Sequence, residues 1–346
     1  MKKTKIICTM GPNSDDREVM KQLVLNGMDV ARFNFSHGNH EEHKKRYLQL
    51  RQVAEETGIP VAALLDTKGP EIRTGILKDG NKITLKEGQE FTLTTEEVVG
   101  DETMVHINYD GLNGDVKAGD RILIDDGKVE LEAEAGAAPS AGGCRITARV
   151  VRGGLIKSGK SLAIEGKAVP MPTLTESDRK NIRAAVSYGI TGVMLPFVRN
   201  KEDLLVLREA LKEAGAGEIQ VFAKIENMQG VEAIKELLPY CDHVVIARGD
   251  LGNAMPLWKL PGVQKRLARE CREAGKPFMV VTQMLDSMHE RAVPTRAEVL
   301  DIYNAVLDGA SSLMLTGETA AGSYPVQAVE YLVNTGEEAL RDMEEA

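Results

Sequence analysis

Short apolar runs recur along this chain, and each is followed by a segment whose apolar residues return every three or four positions. The first pattern suits strands and the second suits amphipathic helices. Strands are predicted at Lys3–Cys8, Asp29–Phe33, Val61–Asp66, Gly192–Leu195, Ile219–Ala223, His243–Ala247, Phe278–Val281 and Ser311–Leu315. Helices are predicted around Asp15–Leu25, His40–Glu56, Glu176–Tyr188, Lys201–Ala214, Met228–Leu238, Pro261–Ala274, Arg296–Leu307 and Pro325–Asp342. Eight strand–helix units in a chain of this length predict an α/β fold, a closed parallel (β/α)8 TIM barrel.

One connection breaks the alternation. Between Pro70 and Pro170 the texture changes to short β-like runs at Lys82–Leu85, Glu90–Thr94, Met104–Asn108, Arg121–Ile124, Lys128–Leu131 and Cys144–Arg149. Turn signals separate them at Asp79-Gly80, Glu87-Gly88 and Asp126-Gly127. This predicts a small β-barrel-like domain inserted after the third strand, at residues 70–170, dividing the barrel into residues 1–69 and 171–346. Ala135–Gly143 reads as a mobile loop. An insertion in a βα loop belongs over the C-terminal mouth of such a barrel, so it is expected to act as a lid.

Composition narrows the partners. Lys and Arg number 43 against 52 Asp and Glu, a formal charge of −9, and no Lys/Arg block stands out, which argues against nucleic acid. An anionic substrate would then be held by a few focused cations rather than by the global field. Met1-Lys2-Lys3 imitates the start of a signal peptide, but Ile6-Ile7-Cys8 is too short for its apolar core, and no stretch could span a membrane. Cys8, Cys144, Cys241 and Cys271 are far apart, with no spacing for zinc or a disulfide framework, and a reducing cytoplasm is expected.

The candidate chemistry lies where strands end. Side chains alternate along a strand, so Lys224 and Glu226 leave the fifth barrel strand on one side while Ile225 takes the other. Asp250 follows the next strand at the matching height. Two carboxylates beside an ammonium group suit Mg²⁺ (or Mn²⁺) bound together with an anionic substrate. Arg32, Asn34 and Ser36 share a face at the end of strand two, Asp66, Thr67, Glu71 and Arg73 follow strand three, Thr282 and Gln283 meet strand seven, and Thr316-Gly317-Glu318 follows strand eight. Exposed strand ends often carry one charge by chance, but chance explains this joint convergence much less well.

In Cys8-Thr-Met-Gly-Pro12, Arg32-Phe-Asn-Phe-Ser-His-Gly38, Leu65-Asp-Thr-Lys-Gly-Pro-Glu-Ile-Arg73, Lys224-Ile-Glu-Asn227, Ala247-Arg-Gly-Asp-Leu-Gly252, Thr282-Gln-Met-Leu-Asp-Ser-Met288, Pro294-Thr-Arg-Ala-Glu298 and Thr316-Gly-Glu-Thr319, the chain resembles pyruvate kinases over nearly its whole length. The resemblance implies a barrel interrupted after its third strand by a β lid, and glycolytic phosphoryl transfer from phosphoenolpyruvate to ADP, giving pyruvate and ATP. It implies Mg²⁺ at Glu226 and Asp250, and K⁺ in a cage of Asn34, Ser36, Asp66 and Thr67, with Glu71 matching the potassium-dependent branch. By the same likeness Lys224 neutralises the phosphoryl group in flight, Arg32 and Arg73 grip phosphates, and Thr282 sits in the proton path. Gly249 and Asp250 would offer helix N–H groups to the substrate carboxylate. Asn34, His37 and Lys160 would face the nucleotide.

The same likeness implies a further C-terminal α/β domain with a sugar-phosphate effector site and one subunit interface. The sequence stops at Ala346, so a form without that domain is expected. A homo-oligomer, a dimer through barrel helices, is expected because Pro294–Glu298 resembles a family interface segment. Pro196 stands where the family usually has Ser, and Asn253-Ala254-Met255-Pro256 where a Val-Glu-Ile-Pro-like segment is usual. Plainer alternatives stand beside each assignment. Glu226 could pair with Lys224 or Arg248, Asn34 and Ser36 could cap the following helix, and Lys160 could be a solvated lysine. Asp125-Asp126-Gly127 reads as a hairpin turn, and Met284 and Met288 as core. A Mg²⁺-dependent pyruvate/enolate aldolase-lyase and a catalytically weak regulatory homologue are the competing functions.

Overall fold

The structure, a computed structural model, describes residues 4–78, 82–125, 127–136, 138–140, 142–167 and 170–345. The turn expected at Asp79-Gly80, together with Asp126, therefore lies outside the described residues. The chain divides into two compact units, one of residues 1–69, 173–249 and 260–346 and the other of residues 70–172 and 250–259. The second unit thus holds the segment expected to be inserted and, in addition, the ten residues after Gly249.

In chain order the strands are β1 (Lys5–Thr9), β2 (Met28–Asn34), β3 (Ala62–Asp66), β4 (Ile72–Arg73), β5 (Lys82–Leu85), β6 (Glu90–Thr94), β7 (Met104–His106), β8 (Arg121–Ile124), β9 (Val129–Ala133), β10 (Ala138–Ser140), β11 (Gly143–Arg152), β12 (Gly154–Lys157), β13 (Ser161–Ile164), β14 (Gly192–Leu195), β15 (Gln220–Ile225), β16 (His243–Ala247), β17 (Phe278–Val281) and β18 (Ser312–Leu315). In the first unit, β1, β2, β3 and β14–β18 pair in parallel and close in the order β1-β18-β17-β16-β15-β14-β3-β2. This is the expected α/β barrel.

The period-two alternation of these strands divides their side chains between two cores. Ile7, Val30, Leu64, Met194, Phe222, Val245, Met279 and Met314, one from each strand, form a single buried cluster with Ala247 and Val281. Such a cluster packs the barrel interior with apolar side chains and leaves chemistry to the strand ends. Gly192 is required there, since a Cβ would lie 2.5 Å from Leu64 Cδ2 and 2.8 Å from Phe222 Cε2.

The intervening helices start on side-chain caps. Asn39 accepts from Glu41 N and Glu42 N before the helix His40–Thr57, and Thr175 and Asp178 form a reciprocal box before Glu176–Tyr188. The helix expected over Met228–Leu238 is broken at Ala233 into Met228–Glu232 and Ile234–Leu237, with a 3-10 turn at Leu238–Tyr240. Among the described residues no helix is long and apolar enough to cross a membrane.

The second unit is built on one sheet in the order β4-β13-β8-β9-β11-β6-β7, with β10 on β11, and on a separate β5–β12 pair. An isolated antiparallel bridge, Thr74 with Ile107, links the segments just beyond β4 and β7, so the two ends of the sheet meet. Ile72, Phe91, Leu93, Ile122, Leu131, Ile146 and Ile164 belong to its buried core. The loop expected at Ala135–Gly143 is instead partly a hairpin. Ala138, Pro139 and Ser140 pair with Arg145, Cys144 and Gly143, while residues 137 and 141 lie outside the described set. Its small residues hide the strand signal, and the backbone ladder to β11 supplies the order that side chains do not.

Candidate active site

Four charged side chains converge at the C-terminal ends of β2, β3 and β15, all within the first unit. Arg32 directs Nε (2.9 Å) and Nη2 (2.6 Å) to Asp66 Oδ2, while its Nη1 donates to Thr9 Oγ1 at 2.9 Å. Lys224 Nζ lies 3.4 Å from Asp66 Oδ2 and 3.0 Å from Glu226 Oε1. The second oxygen of Glu226 accepts from Phe197 N at 2.8 Å. Asp66 and Glu226 are 1% and 3% exposed. The result is a nearly dry chain of alternating charge, Arg32–Asp66–Lys224–Glu226, whose carboxylates each rest against a cation and so tolerate burial.

The spacing of residues in the sequence explains how this assembles. Lys224 and Glu226 meet on one side of β15 while Ile225 is fully buried on the other, as the alternation requires. Parallel register sets Asn34 opposite Asp66. Asn34 Oδ1 accepts from Ser36 N at 3.1 Å, so these two residues close a local turn, and the cap of the following helix is Asn39. Thr67 is buried, and its hydroxyl donates to Met194 O at 3.1 Å. His37 is exposed, and its carbonyl accepts from His43 Nε2 at 2.8 Å. Burial, aided by Arg46 and His40, lowers the pKa of the His43 imidazole against the opposing pull of the His37 carbonyl and Glu42.

One atom of the cluster stands apart. Asp66 Oδ1 is buried and has no hydrogen-bond partner. A bare carboxylate oxygen in such a place is costly unless something other than a side chain meets it, and a cation is the simplest candidate. Among the described residues no group of three or more His, Cys, Asp and Glu could by itself enclose a metal.

Backbone strain collects beside these strand ends. Phe197 (φ +55°), Thr282 (φ +78°) and Gln283 (φ +56°) occupy the left-handed region without being glycine. Such residues cost on the order of 1–3 kcal/mol each, and the cost for β-branched Thr282 lies at the upper end. Thr282 O accepts from Arg248 Nη2 (2.7 Å) and Nε (3.2 Å), and a Cβ on Gly249 would lie 3.0 Å from Thr282 Cγ2. Glu318, 1% exposed, accepts from Leu285 N and Thr316 N and so ties the ends of β17 and β18 together.

Within the second unit, Arg73 is held by Glu71 at 2.6 Å and donates to Gly159 O at 2.7 Å. Lys160 pairs with Asp125 Oδ1 at 2.8 Å and is therefore not the plain solvated lysine of the alternative reading. Burial acts to raise the pKa of Asp125, but Lys160 and Lys128 outweigh it and leave that carboxyl below its usual value. Asp250 lies in the first turn of the helix Arg248–Asn253, directly after β16.

Residues 1–329 match the family model described as pyruvate kinase, barrel domain. The chain belongs to the pyruvate kinase family. Among curated relatives, "Pyruvate kinase" of Geobacillus stearothermophilus is 46% identical over 329 residues, covering 95% of this chain and 55% of the relative. "Pyruvate kinase" of Bacillus licheniformis is 43% identical over 343 residues, covering 98% and 58%. "Pyruvate kinase" of Clostridium acetobutylicum is 42% identical over 344 residues, covering 99% and 72%. The chain thus spans little more than half the length of the first two of these pyruvate kinases.

Of the residues singled out from sequence, Arg32, Asp66, Lys224 and Glu226 form one connected cluster, Asn34, Ser36 and Thr67 adjoin it along the chain, and Thr282 with Gly249 forms a second contact in the same unit. Both Met284 and Met288 are fully buried, as expected of core residues. Sequence reasoning missed the forked contact of Arg248, the Phe197 N–H on Glu226, and Asp178, whose Oδ1 accepts from Lys68 N (3.0 Å) and Gly69 N (3.3 Å). Only the Thr175-x-x-Asp178 capping pattern hinted at the last of these.

Proposed function

We propose that this chain transfers the phosphoryl group of phosphoenolpyruvate to ADP, giving ATP and, after protonation of the enolate, pyruvate. The observation that carries the reading is the buried Arg32–Asp66–Lys224–Glu226 chain at the barrel's strand ends, in a member of this family. A phosphoryl group in transit carries several negative charges, and fixed cations in a dry site lower its energy more than water can.

In this reading a β-phosphate oxygen of ADP forms a bond to phosphorus as the bond to the enol oxygen breaks, and the enolate carbon then takes up one proton. Lys224 neutralises the phosphoryl oxygens, with Glu226 and Asp66 holding its ammonium in place. Arg32 and Arg73 bind phosphate oxygens. Thr282 lies on the proton's route, and Gly249, lacking a side chain, lets the substrate carboxylate approach the backbone. Asn34, His37 and Lys160 contact the nucleotide. Glu226 and Asp250 are the proposed holders of Mg²⁺ (or Mn²⁺), and Asn34, Ser36, Asp66 and Thr67 those of K⁺; the unpartnered Asp66 Oδ1 favours the second set. When bound, these ions supply charge compensation on the phosphate and enolate oxygens. A cytoplasmic homodimer is proposed, joined through barrel helices near Pro294–Glu298, where Val293 and Leu300 are 61% and 60% exposed.

The test is a coupled assay for pyruvate with phosphoenolpyruvate, ADP, Mg²⁺ and K⁺. Wild type should form pyruvate only when ADP is present, and Lys224→Met should lower kcat by about 10³-fold, the scale of losing one fixed electrostatic contact. Aldol cleavage without nucleotide, or binding of both substrates without turnover, would replace this reading by the lyase or the regulatory one.

A further inference from the structure

One buried cation has no task in the chemistry above. The side chain of Arg248 is 12% exposed, and every nitrogen of its fork is engaged. Nε and Nη2 meet Thr282 O at 3.2 and 2.7 Å, Nη2 also lies 3.0 Å from Met284 Sδ, and Nη1 reaches Asp301 Oδ2 at 2.6 Å and Gln264 Oε1 at 3.5 Å. Asp301 belongs to the helix Arg296–Leu307, so a carboxylate of the outer layer braces a guanidinium that grips a carbonyl at the end of β17.

The carbonyl it grips belongs to a residue that would not adopt its conformation unaided. Thr282 and Gln283 both have positive φ, and a β-branched residue stays there only when its surroundings hold it. Two N–H groups of one planar fork on one carbonyl fix the direction of the 282–283 peptide as well as its position; an ammonium group, with no fork, cannot also reach Asp301. The adjoining residue is Gly249, where a Cβ would press on Thr282 Cγ2 at 3.0 Å. Among the described residues the Thr282 hydroxyl makes no hydrogen bond, so nothing but the backbone sets its place.

We propose that Arg248, braced by Asp301, is a positioning residue that holds the Thr282 carbonyl in its left-handed turn and thereby sets the Thr282 hydroxyl for protonation of the enolate. The assignment rests on the phosphotransferase reading. It predicts a defect in turnover rather than in substrate affinity, because the held group acts after phosphoenolpyruvate is bound.

The test compares Arg248→Gln, Arg248→Lys and Asp301→Asn in the full chain. It measures kcat, KM for phosphoenolpyruvate, exchange of pyruvate methyl protons with deuterated water in the presence of ATP and Mg²⁺, and amide exchange at residues 283–285. Arg248→Gln should lower kcat and methyl exchange together by about 30-fold or more, with KM changed by less than about threefold, since misplacing a reacting group by an ångström costs rates of this order. Asp301→Asn should lower both by about fivefold, Arg248→Lys should not restore them, and amides 283–285 should lose protection in each variant. Wild-type kcat in Arg248→Gln, or a change confined to KM, overturns the proposal. If Arg248→Gln does not fold, Asp301→Asn decides, and wild-type turnover there overturns it. If wild type itself makes no pyruvate from phosphoenolpyruvate and ADP, the phosphotransferase reading fails; the holding role then stands or falls on amide exchange, and unchanged protection at 283–285 overturns it.

Discussion

Asp178→Ala removes a buried carboxylate that binds the chain on both sides of the inserted segment. Asp178 is fully buried; its Oδ1 accepts from Lys68 N (3.0 Å) and Gly69 N (3.3 Å), and its Oδ2 from Thr175 N (2.9 Å) and Thr175 Oγ1 (2.7 Å). Alanine leaves four donors without their acceptor. Gly69 N is buried and cannot turn to water, which costs about 1–3 kcal/mol. Loss of the Asp178 half of the reciprocal cap on the helix Glu176–Tyr188 adds about 1 kcal/mol, the other half, from the residue-178 N–H to Thr175 Oγ1, being kept, while the partly buried Lys68 N rehydrates at little cost. The sum is about 2–4 kcal/mol, and with an m-value of about 3 kcal/mol/M the urea midpoint should fall by about 1 M. Asp178→Asn keeps the shape and one acceptor oxygen but turns an amide against the donors, so it should fall between the two. The loop loosened by these changes starts at Thr67, directly after Asp66 at the end of β3, so on the K⁺ assignment proposed above the K⁺ concentration for half-maximal activity should rise as well. The measurement is urea unfolding followed by far-UV circular dichroism and intrinsic fluorescence, with coincident curves required before a midpoint is compared. A shift below about 0.3 M in Asp178→Ala would refute the claim that this carboxylate holds the loop.

Three other outcomes are expected of the protein. Because the folded-state pKa of His43 is depressed by burial below its ordinary value near 6.5, the unfolded chain binds more protons between those two values; thermal stability should therefore fall as pH drops below about 6.5, and His43→Gln should flatten that slope. The thiols of Cys241 and Cys271 are pushed up to about 11 and about 12 by burial, that of Cys8 higher still, and Cys144 is buried, so Ellman's reagent at neutral pH should label these four only after unfolding. Gly249→Ala would set a methyl 3.0 Å from Thr282 Cγ2 on a backbone held by Arg248; overpacking of this kind costs about 1–3 kcal/mol, read as a lower melting temperature together with reduced kcat.

The expected strands Gly192–Leu195, His243–Ala247 and Phe278–Val281 agree with β14, β16 and β17 to the residue. They are uninterrupted apolar runs bounded by polar turns, the pattern of parallel strands buried on both faces. The insertion was less legible. β12 and β13 lie in a stretch rich in Lys, Gly and Ser and are made strands by partners far along the chain, while β10 is Ala-Pro-Ser and is made a strand by its backbone ladder to the adjacent β11.

For the site, alternation along one strand was enough to place Lys224 beside Glu226, because the period of a strand is a local property of the backbone. The sequence by itself therefore determined the strand–helix rhythm, the interruption after β3 and which residues stand at strand ends. Only the tertiary structure decided that Arg32 and Lys224 share one carboxylate, that Asp66 Oδ1 is left bare, and that Arg248 grips a strained threonine. These depend on barrel closure, which brings together strands as far apart in the chain as β1 and β18, where Lys5 pairs with Ser312, and no period along the chain encodes which side chains meet when it closes.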